Sequence, residues 1–276
     1  MNSFINKFYN HYKSTILVKC LSRFFELVIF SNETLKLATN HDFYKIGATS
    51  SLLLSKEITN IGKIRSTGFA RFAMPCTISR FACWNIIKSP RASMIAYIDD
   101  TEIIELLHEM SSFSKKTKIE ILKLAFVKEF LRKSQVLCDE LHYIKNIELF
   151  VLFGPIHGDF NRRNVLRYNN KLLLIDFDFF EHHNIHYFDF INLLVSDLIF
   201  EQKMNWCEAI ESLDENWNKS VCYHCWNALS LQERRDILYL YFIWRCHNEV
   251  TCCGFTATDG FIENTLRRIR TLQNRA

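Results

Sequence analysis

Between residues 156 and 180 the sequence reads IHGDFNRRNVLRYNNKLLLIDFDFF, and it places Asp159, Asn164 and Asp176 in one short stretch. The stretch has a two-strand rhythm: Asn164-Val-Leu-Arg-Tyr, an Asn-Asn turn, then Lys171-Leu-Leu-Leu-Ile-Asp176. A hairpin of that kind returns Asp176 close to Asn164, so a carboxylate and an amide oxygen converge with a second carboxylate nearby. Hard oxygen donors of this sort suit Mg²⁺, which takes one or two carboxylates and completes its shell with water and phosphate oxygens. The alternative, polar residues of an ordinary hairpin, is weaker, because an Asp among Phe and Ile needs a partner or a metal. Asp178 lies two residues beyond Asp176. In a continuing strand it would share the face of Asp176 and reach a second metal; otherwise it caps the following turn. Arg162 and Arg163 sit inside the loop, where a guanidinium steadies a transferring phosphoryl group or the acceptor, solvated loop arginines being the alternative.

His157-Gly158-Asp159, then Asn164, then Ile175-Asp176, followed by Asp189, resembles the catalytic loop and metal-binding aspartate of the aminoglycoside phosphotransferase and choline kinase family. The order of an Asp five residues before an Asn, with a later strand-ending Asp, is also that of kinases generally. The resemblance implies an α+β, bilobal protein-kinase-like fold. A small β-rich N-terminal lobe with one main helix would precede a larger helical lobe. It implies Asp159 as the base that accepts the proton of a substrate hydroxyl, with Arg163 beside it as a catalytic candidate. Asn164 and Asp176 would hold Mg²⁺ against the phosphates of ATP, with Asp178 as a further ligand. His157 and Asp189 would support the loop, a helix-borne carboxylate accepting its backbone N–H groups.

The same resemblance calls for a lysine on the third strand paired with a glutamate on the next helix. Lys45, in Asp42-Phe-Tyr-Lys-Ile-Gly, and Glu57, in SSLLLSKEITNI, are that couple; Lys36 and Lys56 compete with Lys45. No glycine precedes Gly47, so a Gly-rich phosphate-covering loop is absent and the turn Ser31-Asn32-Glu33 would take its place. The adenine would lie against the connection near Tyr97–Asp99.

The elements that must position these residues are legible as patterns. FELVIF, TLKLAT and DFYKIG read as strands separated by turn residues, and SSLLLSKEITNIGKI reads as a helix with Ser50 or Ser51 as N-cap. CTISRFAC and SMIAYI read as two further strands. From Thr101, TEIIELLHEM and IEILKLAFVKEFLRKSQVL carry apolar residues at helical spacing, and helices resume from about Tyr187. A boundary near Tyr97–Thr101 divides an N-terminal nucleotide-binding lobe, 1–98, from a C-terminal catalytic and substrate-binding lobe, 99–276. Residues 1–20 predict an amphipathic helix, packed on the protein or lying on a membrane surface.

Composition narrows the class. The chain has 276 residues, 49% hydrophobic and 23% charged, with 7 Gly and 3 Pro, which excludes disorder and a turn-dense β-sandwich. A net charge of +4 is too mild to imply nucleic acid. No secretory leader or membrane-spanning stretch is evident, so the expected location is cytoplasmic, with peripheral contact at the membrane face as an alternative. The 10 Cys fit a reduced compartment, most thiols acting as core hydrophobes; the single Cys222-Tyr-His-Cys225 supplies too few ligands for a structural zinc. The expected partners are a nucleotide and a small-molecule or glycan hydroxyl acceptor. A sugar of a cell-surface glycan such as lipopolysaccharide core is favoured over aminoglycosides or choline by the basic N-terminal helix and Arg-rich C-terminal end. A pseudokinase-like module that binds without turnover is the competing class.

Overall fold

A computed structural model describes residues 27–31, 34–92, 98–133, 144, 147–216 and 224–253. The helix expected over 1–20, the strand expected at SMIAYI up to Tyr97, Asn32 and Glu33, Cys222, and the Arg-rich end lie outside these residues. The architecture is α+β. Three strands, β1 (Leu27–Ser31), β2 (Thr34–Ala38) and β3 (Asp42–Ala48), form a meander that continues into α1 (Leu52–Arg65). A hairpin of β4 (Thr77–Phe81) and β5 (Trp84–Pro90) then completes a five-stranded antiparallel sheet of order β1-β2-β3-β5-β4. The second strand of that hairpin falls at Trp84–Pro90, where the sequence pattern had suggested none: Asn85, Lys88 and Ser89 interrupt its apolar alternation.

α1 starts where Ser51 caps it, the Ser51 hydroxyl accepting from the Leu54 N–H at 3.4 Å. Its spacing sorts its residues by destination. Leu54 and Ile61 pack on Ile87 of the sheet, whereas Ile64 joins the large core of the C-terminal part. Glu57 and Asn60 share the buried stripe at helical spacing and are therefore turned inward as polar groups that need partners.

The C-terminal part comprises α2 (Asp100–Ser111), capped by Asp99, then β6 (Lys115–Ile119), α3 (Ala125–Lys133) and β7 (Leu149–Ile156). After these come the β8 (Val165–Tyr168) and β9 (Lys171–Leu174) hairpin, β10 (Glu181–Ile185) and α4 (Tyr187–Glu201). Helices α5 (Trp206–Asn216), α6 (His224–Asn227) and α7 (Leu231–Cys253) follow. β10, β7 and β6 form a three-stranded antiparallel sheet. The long helix expected from Ile119 onward is shorter: Ile119 ends β6, a 3₁₀ turn spans Ile121–Lys123, and α3 begins at Ala125. In α7 every residue from Ile237 to Trp244 is buried, so this helix runs through the core and not along its surface. Trp226 and Trp244 are core residues. Cys246 is buried, whereas Cys83 is exposed and Cys76 and Cys225 are half-buried. No described helix is long and apolar enough to cross a membrane.

Candidate active site

The Asn169-Asn170 turn between β8 and β9 has positive φ at both residues, 49° and 62°, as a tight two-residue hairpin requires. It returns the chain as expected: Val165 pairs with Leu174, and the Ile175 N–H donates to the Asn164 carbonyl at 3.0 Å. The strand does not continue to Asp178. It ends at Leu174, Asp176 takes a left-handed φ of 59°, and Asp178 stands in a turn. That turn, not strand alternation, brings Asp178 beside Asp176.

Opposite them stands Lys45. Its Nζ lies 2.6 Å from Glu57 Oε2, 3.1 Å from Asp176 Oδ1 and 3.9 Å from Asp178 Oδ2. Burial disfavours its charge, but Glu57, Asp176 and Asp178 outweigh burial and hold the ammonium above the usual lysine range. Burial pushes Glu57 up to about 7 against the pull of Lys45. Asp176 goes the other way. Burial would raise it, but Lys45 and Lys36 draw it down to about 2. Lys36 is directly across the ladder from Lys45 and reaches Asp176 Oδ2 at 3.3 Å. Two like charges facing each other on neighbouring strands repel unless an anion lies between them, and Asp176 is that anion. Lys36 and Lys45 therefore share Asp176, and only Lys45 meets Glu57.

The loop before the hairpin is held from below. Asp189, fully buried on α4, accepts from the His157 and Gly158 N–H groups, each at 2.8 Å. Burial pushes it up to about 7, opposed by those two donors. Because the Asp159 N–H donates to His157 Nδ1 at 3.2 Å, the imidazole proton sits on Nε2 and is donated to the Ile175 carbonyl at 2.8 Å. Burial lowers the His157 pKa and keeps this ring neutral. Gly158 has φ 81°, and a Cβ there would collide with the Phe179 carbonyl oxygen, so the loop passes too close to the Asp178-Phe179 turn for any side chain.

Asp159 is gripped through both oxygens. Oδ2 accepts from Asn164 Nδ2 at 3.0 Å; Oδ1 accepts from Arg245 at 3.1 Å and from Asn192 Nδ2 at 3.3 Å. The hydrogen bonds donated by the Asn164 side chain leave through Nδ2, to the carbonyl and carboxylate of Asp159, so its Oδ1 is the atom that could serve a cation. Arg162 is a brace: it donates to Asp197, to Asp100 and to the Ile98 carbonyl, tying the loop to α4 and the start of α2. Arg163 lines the cleft, its guanidinium stacked 3.4 Å from the centre of the Phe200 ring.

Several participants carry no motif. Asn60 donates to the carbonyls of Phe177 (2.8 Å) and Asp178 (3.3 Å), so α1 clamps the segment bearing both aspartates. Asn192 and Arg245 converge on Asp159 from α4 and α7, with the Tyr241 hydroxyl donating to Asn192 Oδ1 at 2.8 Å. The only signal for Asn60 in the sequence is a polar residue on an otherwise apolar helical stripe; for Arg245 it is a charge in a long apolar run.

A cleft of about 1520 Å³ opens between the five-stranded sheet and the β8–β9 hairpin. Its lining includes the polar groups Lys36, Lys45, Asn164 and Asp176 and the apolar side chains Phe43, Ile87, Leu166 and Leu174. Among the described residues its lining includes Ser89–Ala92; Tyr97, in the segment expected to meet the ring, lies outside the described residues. Among the described residues no group of three or more His, Cys, Asp or Glu is poised to hold a metal. The donor set nonetheless fits an ion that shares its shell with phosphates and water, since Asp178 Oδ1 is a buried carboxylate oxygen without a hydrogen-bond partner beside Asp176.

No protein-family model and no curated protein matches the sequence. Solved structures similar to the chain include an ADP-bound aminoglycoside phosphotransferase, at 14% identity over 88% of this chain and 91% of that one, with a TM-score of 0.46. Choline kinase LicA from Streptococcus pneumoniae is similar at 11% identity, 91% and 92% coverage and a TM-score of 0.49. An amicoumacin kinase in complex with AMP-PNP, Ca²⁺ and Ami is similar at 12% identity, 98% and 96% coverage and a TM-score of 0.45.

Proposed function

We propose that this protein is an ATP- and Mg²⁺-dependent phosphotransferase that moves the γ-phosphoryl group to a hydroxyl of a small molecule. The observation that carries the reading is the convergence of Lys45, Glu57 and Asp176 at a cleft that Asn164 also lines, with Asn164 locked to Asp159. Phosphoryl transfer needs this division of labour: cations and a metal against the phosphates, and a positioned carboxylate for the attacking hydroxyl. Lys45 and Lys36 would bind phosphate oxygens. Asp176, Asn164 Oδ1 and Asp178 would hold Mg²⁺, which when bound neutralises charge on the phosphates. Asp159 would orient the acceptor hydroxyl and take its proton as the oxygen–phosphorus bond forms and the bond to the β-phosphate oxygen breaks. Arg163, at the cleft wall, would steady the transferred group or the acceptor. The apolar wall of Phe43, Ile87, Leu166 and Leu174 would receive the purine. The acceptor proposed is a sugar hydroxyl of a cell-surface glycan such as lipopolysaccharide core, reached at the cytoplasmic membrane face; aminoglycosides and choline are the alternative.

The test is ATP binding followed by turnover. Mg²⁺-dependent thermal stabilisation by ATP, together with slow ATP hydrolysis that Asp159→Asn abolishes, is the expected result. Stabilisation by ATP with no hydrolysis, indifferent to Asp159, would favour a module that binds without turnover.

A further inference from the structure

We infer that Arg245 determines acceptor specificity, selecting acceptors that carry an anionic group beside the reacting hydroxyl and rejecting those that carry an ammonium there. The inference rests on the phosphotransferase reading above and adds the charge of the acceptor. Arg245 projects from α7, one helical turn after Tyr241, and its NH1 lies 3.1 Å from Asp159 Oδ1, 3.3 Å from Asn192 Oδ1 and 3.5 Å from the Gly158 carbonyl. Its guanidinium carbon is 5.1 Å from the centre of the Phe179 ring. With 16% of its side chain exposed, it is a largely buried charge held against the carboxylate proposed to orient the attacking hydroxyl.

The carboxylates around that position are engaged apart from Asp178, whose Oδ1 has no hydrogen-bond partner and which the reading above assigns to the metal. Asp159 meets Arg245, Asp197 meets Arg162, Glu181 accepts from Trp244 and Asn184, and Asp189 accepts from the loop backbone. Asp176 is bound by two lysines on the nucleotide side. An acceptor ammonium brought to Asp159 would meet a guanidinium already paired with that carboxylate. An acceptor carboxylate or phosphate one or two bonds from its hydroxyl would meet a planar donor of matching geometry. Repulsion of the wrong charge is as strong a source of discrimination as attraction of the right one. As Asp159 takes up the proton it loses its charge while Arg245 keeps its own, so the preference is strongest during transfer.

The experiment uses the full chain and three matched hexoses: glucosamine, glucose and glucuronate. Phosphoryl transfer to each is measured as kcat/KM, alongside the effect of each on ATP hydrolysis by water. Wild type is expected to rank glucuronate over glucose over glucosamine, with at least about tenfold between the extremes. Arg245→Lys should keep that order, and Arg245→Glu should reverse it. Three results would overturn the inference: an order unchanged by Arg245→Glu, an enzyme whose transfer and hydrolysis are indifferent to all three sugars, or an equal loss with every acceptor. The last would place Arg245 on the transferring phosphoryl group instead. A chain with no ATP turnover dependent on Asp176 would refute the phosphotransferase reading itself, a distinguishable outcome.

Discussion

Lys45 and Asp176 are each held by more than one opposite charge, and that fixes what their loss should do. Lys45→Met removes the cation shared by Glu57 and Asp176 and leaves two inward-facing carboxylates without it. Removing one partner of a buried pair costs about 3–5 kcal/mol, so a lower melting temperature should accompany a higher ATP requirement and slower turnover. Glu57→Gln should show a smaller version, because the amide still accepts from Lys45. Lys36→Met, whose ammonium touches only Asp176 among the described carboxylates and is a quarter exposed, should raise the ATP requirement with little loss of stability. A Lys36 variant with the full Lys45 phenotype would assign the phosphate contact to β2. Asp176→Ala should abolish transfer and weaken Mg·ATP binding, by several kcal/mol of transition-state stabilisation. Asp159→Ala should instead leave ATP affinity, read by calorimetry, nearly unchanged.

At the scale of elements, the site depends on α1 meeting the turn that carries Asp176 and Asp178. Asn60 makes that junction through two backbone carbonyls. Asn60→Ala removes the donor to the Asp178 carbonyl and one of two donors to the Phe177 carbonyl, which keeps the Phe180 N–H, a cost of about 1 kcal/mol in denaturant unfolding. It should also weaken Mg·ATP binding, because Glu57 rides on the same helix. Asn60→Asp cannot donate, and should fare no better. The loop-to-turn approach at Gly158 is tighter still. Gly158→Ala puts a side chain at φ 81° against the Phe179 carbonyl, so turnover should fall even if the chain folds. Unimpaired turnover in that variant would show that the loop position is not critical to transfer.

For the whole molecule, acid should act through a fully buried histidine. His186, at the junction of β10 and α4, is fully buried, and burial pushes its pKa down to about 4 from the usual 6.5. Between those values the unfolded chain takes up a proton that the native state refuses. Stability contributed at this position is therefore intact above pH 6.5 and lost as pH falls toward 4, by up to about 3 kcal/mol. Asp189, pushed up to about 7, works in the opposite direction, since the native state binds its proton first as pH falls. The informative quantity is a difference: relative to His186→Leu, wild type should lose stability between pH 7 and pH 4 in urea unfolding. Parallel profiles for the two proteins would show that His186 does not titrate as burial dictates.

By itself the sequence determined the residues that lie in one continuous stretch. The spacing of Asp159, Asn164 and Asp176 and the Asn169-Asn170 turn are local, and a two-residue turn with positive φ leaves one register for its strands. The first three strands and α1 were legible for the same reason, since alternation, helical periodicity and a serine cap act over a few residues. The Lys45–Glu57 couple was legible as strand order. Tertiary structure decided the rest. β5 is a strand because β3 and β4 pair with it, although its own alternation is poor. The long helical pattern after Ile119 broke because β6 needed Ile119 to pair with Leu149. Lys36 entered the site through the β2–β3 register, and Asp178 through the left-handed turn at Asp176. Asn192 and Arg245 reach Asp159 from 33 and 86 residues away, on helices whose apolar patterns report only burial. A charge on a core helix acquires its partner when the helix is packed, and no periodicity in its own segment can name that partner.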